Sequence, residues 1–398
     1  MPIQSLPHHK SVGSDTDRND YNGPLKICCT IHSLAGGGAE RVMAGLTGHL
    51  ADRNHQVCLL TLDDGSADRH LVDPRVERNC LRLMRVSTSP LDAIRNTRRR
   101  ITALRSAIAA QQPDVVLSFC DRMNILTLIA AKPLSIPVVA AERNDPKEQK
   151  LGTVWETMRR WSYRSAARLI ALTERNAESM QSWNRHPIEV IPSAIDAIPA
   201  VSKESSPGET STPPGSTKRR TILGVGRLVD QKGFDRLIKA FLQHAESNPE
   251  WDLVIAGEGP DRIELENLYS DSPHRHRIRM PGWQRPIEPL YQQADVFALP
   301  SRYEGFPSAL LEAMSAGLPA IAIDCPTGPR EIIQDGVDGM LVNAETFSEG
   351  LAQLMKAPDK RQELGNAARN VVKRYGWPAM VDRYEEVLYS ASHGDRKN

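Results

Sequence analysis

The strongest constraint on the fold is a rhythm that runs, stops and restarts. In the first series apolar runs at Leu25 to Ile31, Gln56 to Leu62, Val115 to Phe119, Val138 to Ala141, Leu169 to Leu172 and Glu189 to Ile191 alternate with segments of helical period, beginning with a helix from about Ala39 to Arg53. The second series holds Thr221 to Val225, Leu253 to Ala256, Ile278 to Met280, Val296 to Leu299, Ala320 to Ile323 and Gly339 to Val342, again with helices between. Strands this apolar need both faces covered, so the pattern predicts parallel sheets between helical layers: an α/β chain of two doubly wound halves. Ligands in such folds bind beyond the carboxyl ends of the strands, which makes the cleft between the halves the expected site.

Between the two series, residues 201 to 219 are too polar and too rich in Ser, Pro and Gly to bury a core, and they read as an interdomain linker. Residues 1 to 23 read as a disordered tail. The division is therefore 24 to 200 for the first domain, 220 to 376 for the second, and 377 to 398 for a last helix and tail. That helix, roughly Trp377 to Tyr389, has room to reach beyond its own domain. A chain of 398 residues exceeds one ordinary core.

Lys and Arg number 50 against 49 Asp and Glu, so no global charge draws the chain to nucleic acid and any basic surface must be local. Six cysteines, mostly inside apolar runs and without a CxxC pair, read as reduced core residues of a cytoplasmic protein. Residues 1 to 22 lack the apolar core of a signal peptide, so export is not expected. The most apolar stretch, Met123 to Ala141, is interrupted by Lys132, Pro133 and Pro137 and reads as helix, turn and buried strand rather than a membrane span.

Chemistry concentrates in a few loops. Glu304 and Glu312 lie eight apart across a helix start: Gly305 permits an unusual backbone angle, Pro307 suits a first turn, and Ala309 to Met314 is strongly helix-forming. The free N–H groups of such a helix face the loop before it and favour a phosphate, leaving one carboxylate on each side of the anion. In the second half's first loop, Gly226-Arg227 and Gln231-Lys232-Gly233 follow a strand and precede a helix, placing two cations where they would neutralise a diphosphate. Gly257-Glu258-Gly259-Pro260 and Pro281-Gly282-Trp283 are turns after strands, each a plain turn or a ligand loop, with Gly282 and Trp283 candidates for contact with a base.

In the first half His32-Ser33-Leu34-Ala35-Gly36-Gly37-Gly38-Ala39-Glu40-Arg41 is either a ligand-facing loop or a tight turn. It lacks both dinucleotide glycine spacing and the Lys-Ser/Thr of a P-loop. Asp63-Asp64 reads as a surface turn, and no metal site is assigned. From Arg78 to Arg105, eight arginines face one acid, Asp92, while Leu91, Ile94, Ile101, Leu104 and Ile108 follow helical spacing. This is a core-facing stripe with a cationic flank, or a surface for an anionic bilayer or a diphosphate-linked lipid.

Gly36-Gly37-Gly38-Ala39-Glu40, Gly226-Arg227, Gln231-Lys232-Gly233-Phe234, Gly257-Glu258-Gly259-Pro260 and the Glu304/Glu312 pair together resemble glycosyltransferase family 4, retaining enzymes of the GT-B fold with two Rossmann-like domains facing a central cleft. Ser118-Phe119, Glu142-Arg143-Asn144-Asp145-Pro146 and Asp324 to Glu331 look like the branch that builds bacterial surface polysaccharides and lipid-linked oligosaccharides, several members of which transfer galactose or N-acetylgalactosamine. The resemblance implies that Arg227 and Lys232 grip the diphosphate of a UDP-sugar and that Glu312 binds its ribose. Glu304 would face the sugar, with Gly305, Phe306, Pro307, Ser308, Ala309, Gly226, Gly257, Gly282 and Trp283 around the donor. Gly36, Gly37, Gly38, Glu40 and Arg143 would form the acceptor and phosphate side. Many members carry a histidine where this chain has Arg143-Asn144, so no catalytic histidine is named.

The implied reaction is metal-independent transfer with retention to a lipid-diphosphate-linked or other saccharide acceptor, in the cytoplasm at the inner membrane face. No cofactor beyond the UDP-sugar co-substrate is expected. A nucleotide-sugar 2-epimerase of the same fold and a silent nucleotide-binding subunit are the alternatives; neither half has the glycine spacing of a dehydrogenase.

Overall fold

The computed structural model describes residues 23–199 and 219–394, so nearly all of the expected tail and of the expected linker lie outside the described residues. Thirteen strands form two parallel sheets. In the first domain they are β1 (Lys26–Ile31), β2 (Gln56–Thr61), β3 (Glu77–Cys80), β4 (Val115–Phe119), β5 (Val138–Ala141), β6 (Arg168–Ala171) and β7 (Glu189–Val190). In the second they are β8 (Arg220–Val225), β9 (Trp251–Ala256), β10 (Ile278–Gly282), β11 (Val296–Leu299), β12 (Ala320–Ile323) and β13 (Met340–Val342).

The helices of the first domain are α1 (Gly38–Asp52), α2 (Pro90–Gln111), α3 (Asp121–Ala131), α4 (Thr153–Tyr163) and α5 (Glu174–Met180). Those that follow are α6 (Phe234–His244), α7 (Arg262–Asn267), α8 (Glu288–Gln293), α9 (Ser308–Ser315), α10 (Pro329–Ile332), α11 (Phe347–Lys356), α12 (Pro358–Ala368), α13 (Val371–Arg374) and α14 (Trp377–His393). Among the described residues no helix is long and apolar enough to cross a membrane.

The strand orders are β3-β2-β1-β4-β5-β6-β7 and β10-β9-β8-β11-β12-β13. Each order reverses once, between β1 and β4 and between β8 and β11. At those points the loops diverge to opposite faces and leave a crevice. The loops at these points follow Ile31, Phe119, Val225 and Leu299, and three of them carry sequence motifs: Gly36 to Glu40, Arg227 with Lys232, and Glu304.

Strand β3 is missing from the sequence reading. Its residues Glu77-Arg78-Asn79-Cys80 carry no apolar run, because an edge strand has a partner on one side only and stays half exposed. The stripe on α2 also differs from expectation. Leu104 and Ile108 are fully buried and Ile101 packs beside them, but Leu91 and Ile94 stand 79% and 53% exposed. Leu91 and Ile94 lie on the solvent side of the helix's first turns, while Asn96 is buried there.

Helix α14 follows the second domain in sequence yet belongs to the core of the first. Met380, Val381, Tyr384 and Leu388 pack with Ile27, Ile31, Leu117 and Val139 against one face of the seven-stranded sheet. Trp377 lies against Gly45 of α1 and donates its Nε1–H to Asp196 at 2.9 Å. Arg53 pairs with Asp382 and Glu385, and His55 Nε2 meets Glu385 at 2.8 Å.

Candidate functional site

The second domain contributes a compact charged centre. The loop after β11 carries Glu304 to the amino end of α9, and a short turn at Asp230–Lys232 after β8 delivers Lys232 opposite it. Lys232 Nζ donates to both Glu304 oxygens, at 2.7 and 2.9 Å, while Ser301 Oγ donates to Oε1 at 2.6 Å. Thr327 Oγ1 donates to the Glu304 backbone carbonyl, and the Glu304 N–H donates to Pro326 at 3.3 Å. Glu304 is 4% exposed, so its carboxylate is buried but fully partnered.

Pro307 caps α9 rather than occupying its first turn, one position from expectation. The helix opens at Ser308, and its first N–H groups, at Ser308 and Ala309, have no intrahelical acceptor. Ser308 itself lies against the glycine loop of the other domain: a Cβ on Gly38 would collide with its Oγ. Arg227 stands exposed at the end of β8, without an ion pair to another described residue. An anion at the start of α9 would therefore meet Lys232, orphan amides and an available guanidinium.

Glu312 sits one turn into α9 on the crevice side. Its Oε2 accepts from the Tyr291 hydroxyl at 2.8 Å, and its Oε1 lies 3.3 Å from Arg41 Nε of α1. Burial pushes the Glu312 carboxyl above the ordinary value, against the opposing pull of Arg41 and Tyr291. Arg41 also donates to the Ala194 carbonyl at 2.9 Å, tying α1 to the segment that leads out of the first domain.

The first domain supplies the facing wall. Glu40 lies 3.4 Å from His32 Nε2 at the end of β1. That hydrogen bond raises the His32 pKa; burial pushes Glu40 up, but His32 outweighs it and leaves Glu40 below its usual range. His70 faces the same loop, with its Nε2 at 3.5 Å from the Gly37 N–H. Gly36 packs on Trp283, whose indole lies 4.5 Å beneath the Arg69 guanidinium, and Arg285 reaches the Arg69 carbonyl. Here Trp283 bridges the two domains.

Arg143 follows β5. Its side chain turns away from the crevice: Nη2 donates to Ser193 Oγ at 2.7 Å, Nη1 to the Tyr384 hydroxyl at 3.5 Å, and the guanidinium lies 4.8 Å over Phe119. Its backbone, by contrast, lines the cleft. A Cβ on Gly305 would sit 2.7 Å from the Arg143 carbonyl oxygen, so only glycine allows this approach of the two loops. Next to Arg143, buried Glu142 accepts from the Tyr163 hydroxyl. Burial and the nearby charge of Asp121 push its carboxyl up to about 7, against the lowering effects of Arg159 and Tyr163.

Thus the structure brings Lys232, Glu304, Gly305, Ser308, Ala309, Gly38 and Glu312 to one crevice. Phe306 turns inward, 6% exposed and edge-on to Tyr375 at 5.3 Å. Gly226, Gly257 and Gly282 pack the strand ends of β8, β9 and β10 together: Gly257, at φ 151, presses on the Gly226 carbonyl and donates its N–H to Gly282 at 2.9 Å. Asp64 forms the expected turn, accepting from the Ser66 N–H at 3.0 Å. Arg41, Tyr291, Ser301, Thr327, His32 and His70 had been given no role from sequence. Arg41 alone had an available signal, since it directly follows Glu40 on the helix that opens on the crevice.

Comparison with known proteins follows the same division. Residues 210–371 match the family model for glycosyl transferases group 1, and residues 36–197 match that for glycosyltransferase family 4. An amylovoran biosynthesis glycosyltransferase of Erwinia amylovora is 26% identical over 88% of this chain and 96% of its own. A Campylobacter jejuni protein, 26% identical over 88% of this chain and 94% of its own, is named as an alpha-1,4-N-acetyl-D-galactosaminyltransferase acting on a GalNAc-containing saccharide linked to PP-undecaprenol. An uncharacterized glycosyltransferase of Haemophilus influenzae is 29% identical over 43% of this chain; the chain spans about half of that relative's length, 49%. Among solved structures, Anabaena HepE in complex with UDP and glucose matches at a TM-score of 0.75 and 18% identity, covering 92% of this chain and 100% of that one, which bears on the fold alone.

Proposed function

Since the chain belongs to the glycosyltransferases of family 4 and has their GT-B fold, we propose that it moves galactose or N-acetylgalactosamine from a UDP-sugar to a lipid-diphosphate-linked saccharide, with retention, in bacterial surface polysaccharide assembly. The observation that carries the reading is the Lys232–Glu304 pair at 2.7 Å, set at the open amino end of α9. The Campylobacter relative supports the sugar and the kind of acceptor, and the Erwinia relative supports the pathway class.

The chemistry follows from charge. Breaking the bond between the sugar's C1 and the phosphate oxygen sends its electron pair to the nucleoside diphosphate, and Lys232, Arg227 and the amides of Ser308 and Ala309 stabilise that developing charge. The sugar becomes oxocarbenium-like, and the Glu304 carboxylate at its side offsets the positive charge. The acceptor hydroxyl attacks from the face the diphosphate leaves, and its proton passes to a phosphate oxygen. Fixed cations supply the neutralisation in this scheme, so transfer is expected to proceed without a metal ion. Glu312 holds the ribose. With a lipid-anchored acceptor and a cytosolic nucleotide-sugar donor, the enzyme would act at the inner face of the plasma membrane.

The test is transfer from a panel of radiolabelled UDP-sugars to a lipid-diphosphate saccharide mixture, with a chelator present, for the parent, Glu304→Ala and Lys232→Ala. Incorporation from one donor, lost in both variants, is expected. Release of an epimerised nucleotide sugar without acceptor, or no nucleotide binding at all, would overturn the proposal.

A further inference from the structure

Among the described residues, the largest group of exposed large apolar side chains lies in one stretch of chain. Met84, Val86, Leu91 and Ile94 stand 55%, 88%, 79% and 53% exposed within a single stretch that joins β3 to the first turns of α2. Such a cluster on a water-facing tip loses free energy unless something covers it.

The tip is rigid. Arg100 donates to the carbonyls of Leu83 and Arg85, both at 3.2 Å, and Asn96 donates to Ser87 Oγ at 2.9 Å. Ser89 caps α2 by accepting the Asp92 N–H at 3.2 Å, while the Asp92 carboxylate accepts from the Thr88 N–H at 3.1 Å and from Arg85 at 3.2 Å. These bonds hold Val86 and Leu91 outward, so the loop cannot fold over its own apolar groups without breaking them.

Seven of the eight arginines fall into two groups. Arg78, Arg85, Arg100 and Arg105 are engaged with acids or carbonyls of the domain. Arg95, Arg98 and Arg99 are exposed and form no ion pair with another described residue. Positions 91, 94, 95 and 98 share one face of a helix, so the apolar tip continues directly into a cationic strip. A second copy of the chain would set these cations against their own kind, which disfavours self-association. A surface of negative charge over hydrocarbon satisfies both parts at once.

Topology sets the direction. All seven strands of the first sheet are parallel, so the loop after β3 opens on the same edge as the His32–Gly38 loop that faces the crevice. A bilayer touching the tip lies on the edge from which a lipid-anchored saccharide would enter.

We propose that Met84, Val86, Leu91 and Ile94, with Arg95, Arg98 and Arg99, form a docking surface for an anionic lipid bilayer, on which the first domain rests with its crevice edge toward the membrane. The purpose of this surface rests on the transferase reading above; its existence does not.

The experiment is flotation of the full chain with vesicles of phosphatidylglycerol and phosphatidylethanolamine, compared with phosphatidylcholine alone. One variant carries Val86→Ser, Leu91→Ser and Ile94→Ser, and another Arg95→Gln, Arg98→Gln and Arg99→Gln. The parent is expected to float with the anionic vesicles in a salt-sensitive manner. The arginine variant should lose roughly 100-fold in partitioning, about fivefold for each charge, and the serine variant should also lose binding. Transfer to a water-soluble short-chain acceptor should be unchanged in both variants. Loss of that transfer in the parent would fault the transferase reading instead. The docking surface is overturned by a parent that ignores phosphatidylglycerol, by variants that bind as well as the parent, or by a lipid-free dimer that the serine variant dissociates.

Discussion

The two walls of the crevice are held in different ways. On the second-domain wall Lys232, Ser301, Glu304 and Thr327 bond to one another, and every partner comes from that domain. On the first-domain wall Arg143 is held by Ser193 and by Tyr384, the latter on a helix that follows the entire second domain. One wall is a self-contained charge device. The other depends on a long-range clasp, and its geometry should fail when the clasp is cut.

The sharpest test of the self-contained wall is Lys232→Ala. It removes a cation from the expected diphosphate and leaves the buried Glu304 carboxylate without its main partner, so turnover is expected to fall by about 10²- to 10³-fold. Circular dichroism should stay native-like. Residual activity within tenfold of the parent would show that the pair is structural rather than catalytic.

Cutting the clasp is next in size. Trp377 is 6% exposed, packs on Gly45 and donates to Asp196, so Trp377→Ala should cost about 3 kcal/mol or more in urea unfolding. The comparison predicts that UDP affinity, measured by calorimetry, survives while acceptor turnover falls. If UDP binding collapses with it, the two walls are not independent.

A third test bears on pH. The Glu142 carboxyl, raised to about 7, keeps its proton in the folded protein while an unfolded chain releases it near 4.5. Across that window the folded state binds more protons, so this group's contribution to stability falls as pH rises and is fully lost above 7, by up to about 3 kcal/mol. Glu142→Gln keeps an acceptor for the Tyr163 hydroxyl and removes the titration. Its melting temperature should exceed the parent's above pH 7 and converge with it toward pH 4.5. A constant offset across the range would mean that Glu142 does not titrate there.

How far each wall was legible in the sequence follows from the same contrast. Strands β4, β5, β11 and β12 matched their apolar runs because a central parallel strand must be hydrophobic on both faces. The second-domain residues Lys232, Glu304 and Glu312 could be found because glycines, a proline and a helix start fix their setting locally. β3 was invisible, since a polar edge strand carries no such signature. The partners Tyr291 and Thr327 were invisible too: each lies more than twenty positions from the carboxylate it serves or the backbone it holds, and only the folded sheet brings them together. The same limit hid the first-domain clasp. Residues 241 positions apart, Arg143 and Tyr384, share no local pattern.

The smallest expected effect concerns an ion pair that joins the walls, Arg41 with Glu312. Glu312, the residue matched by resemblance to ribose binding, has Oε2 committed to Tyr291 and Oε1 facing Arg41 at 3.3 Å. Ribose hydroxyls need that second oxygen, so the nucleotide must displace Arg41 or share it. A partly exposed pair of this length contributes on the order of 1 kcal/mol or less. Arg41→Gln should therefore tighten UDP binding by about two- to fivefold, while turnover falls because α1 is no longer drawn toward the nucleotide. Tighter binding with slower turnover would make Arg41 a competitor in the open site and a coupling between domains in the closed one. Weaker binding in Arg41→Gln would reverse the assignment: Arg41 would then be a ligand of the nucleotide itself, and the second-domain wall would not be self-contained.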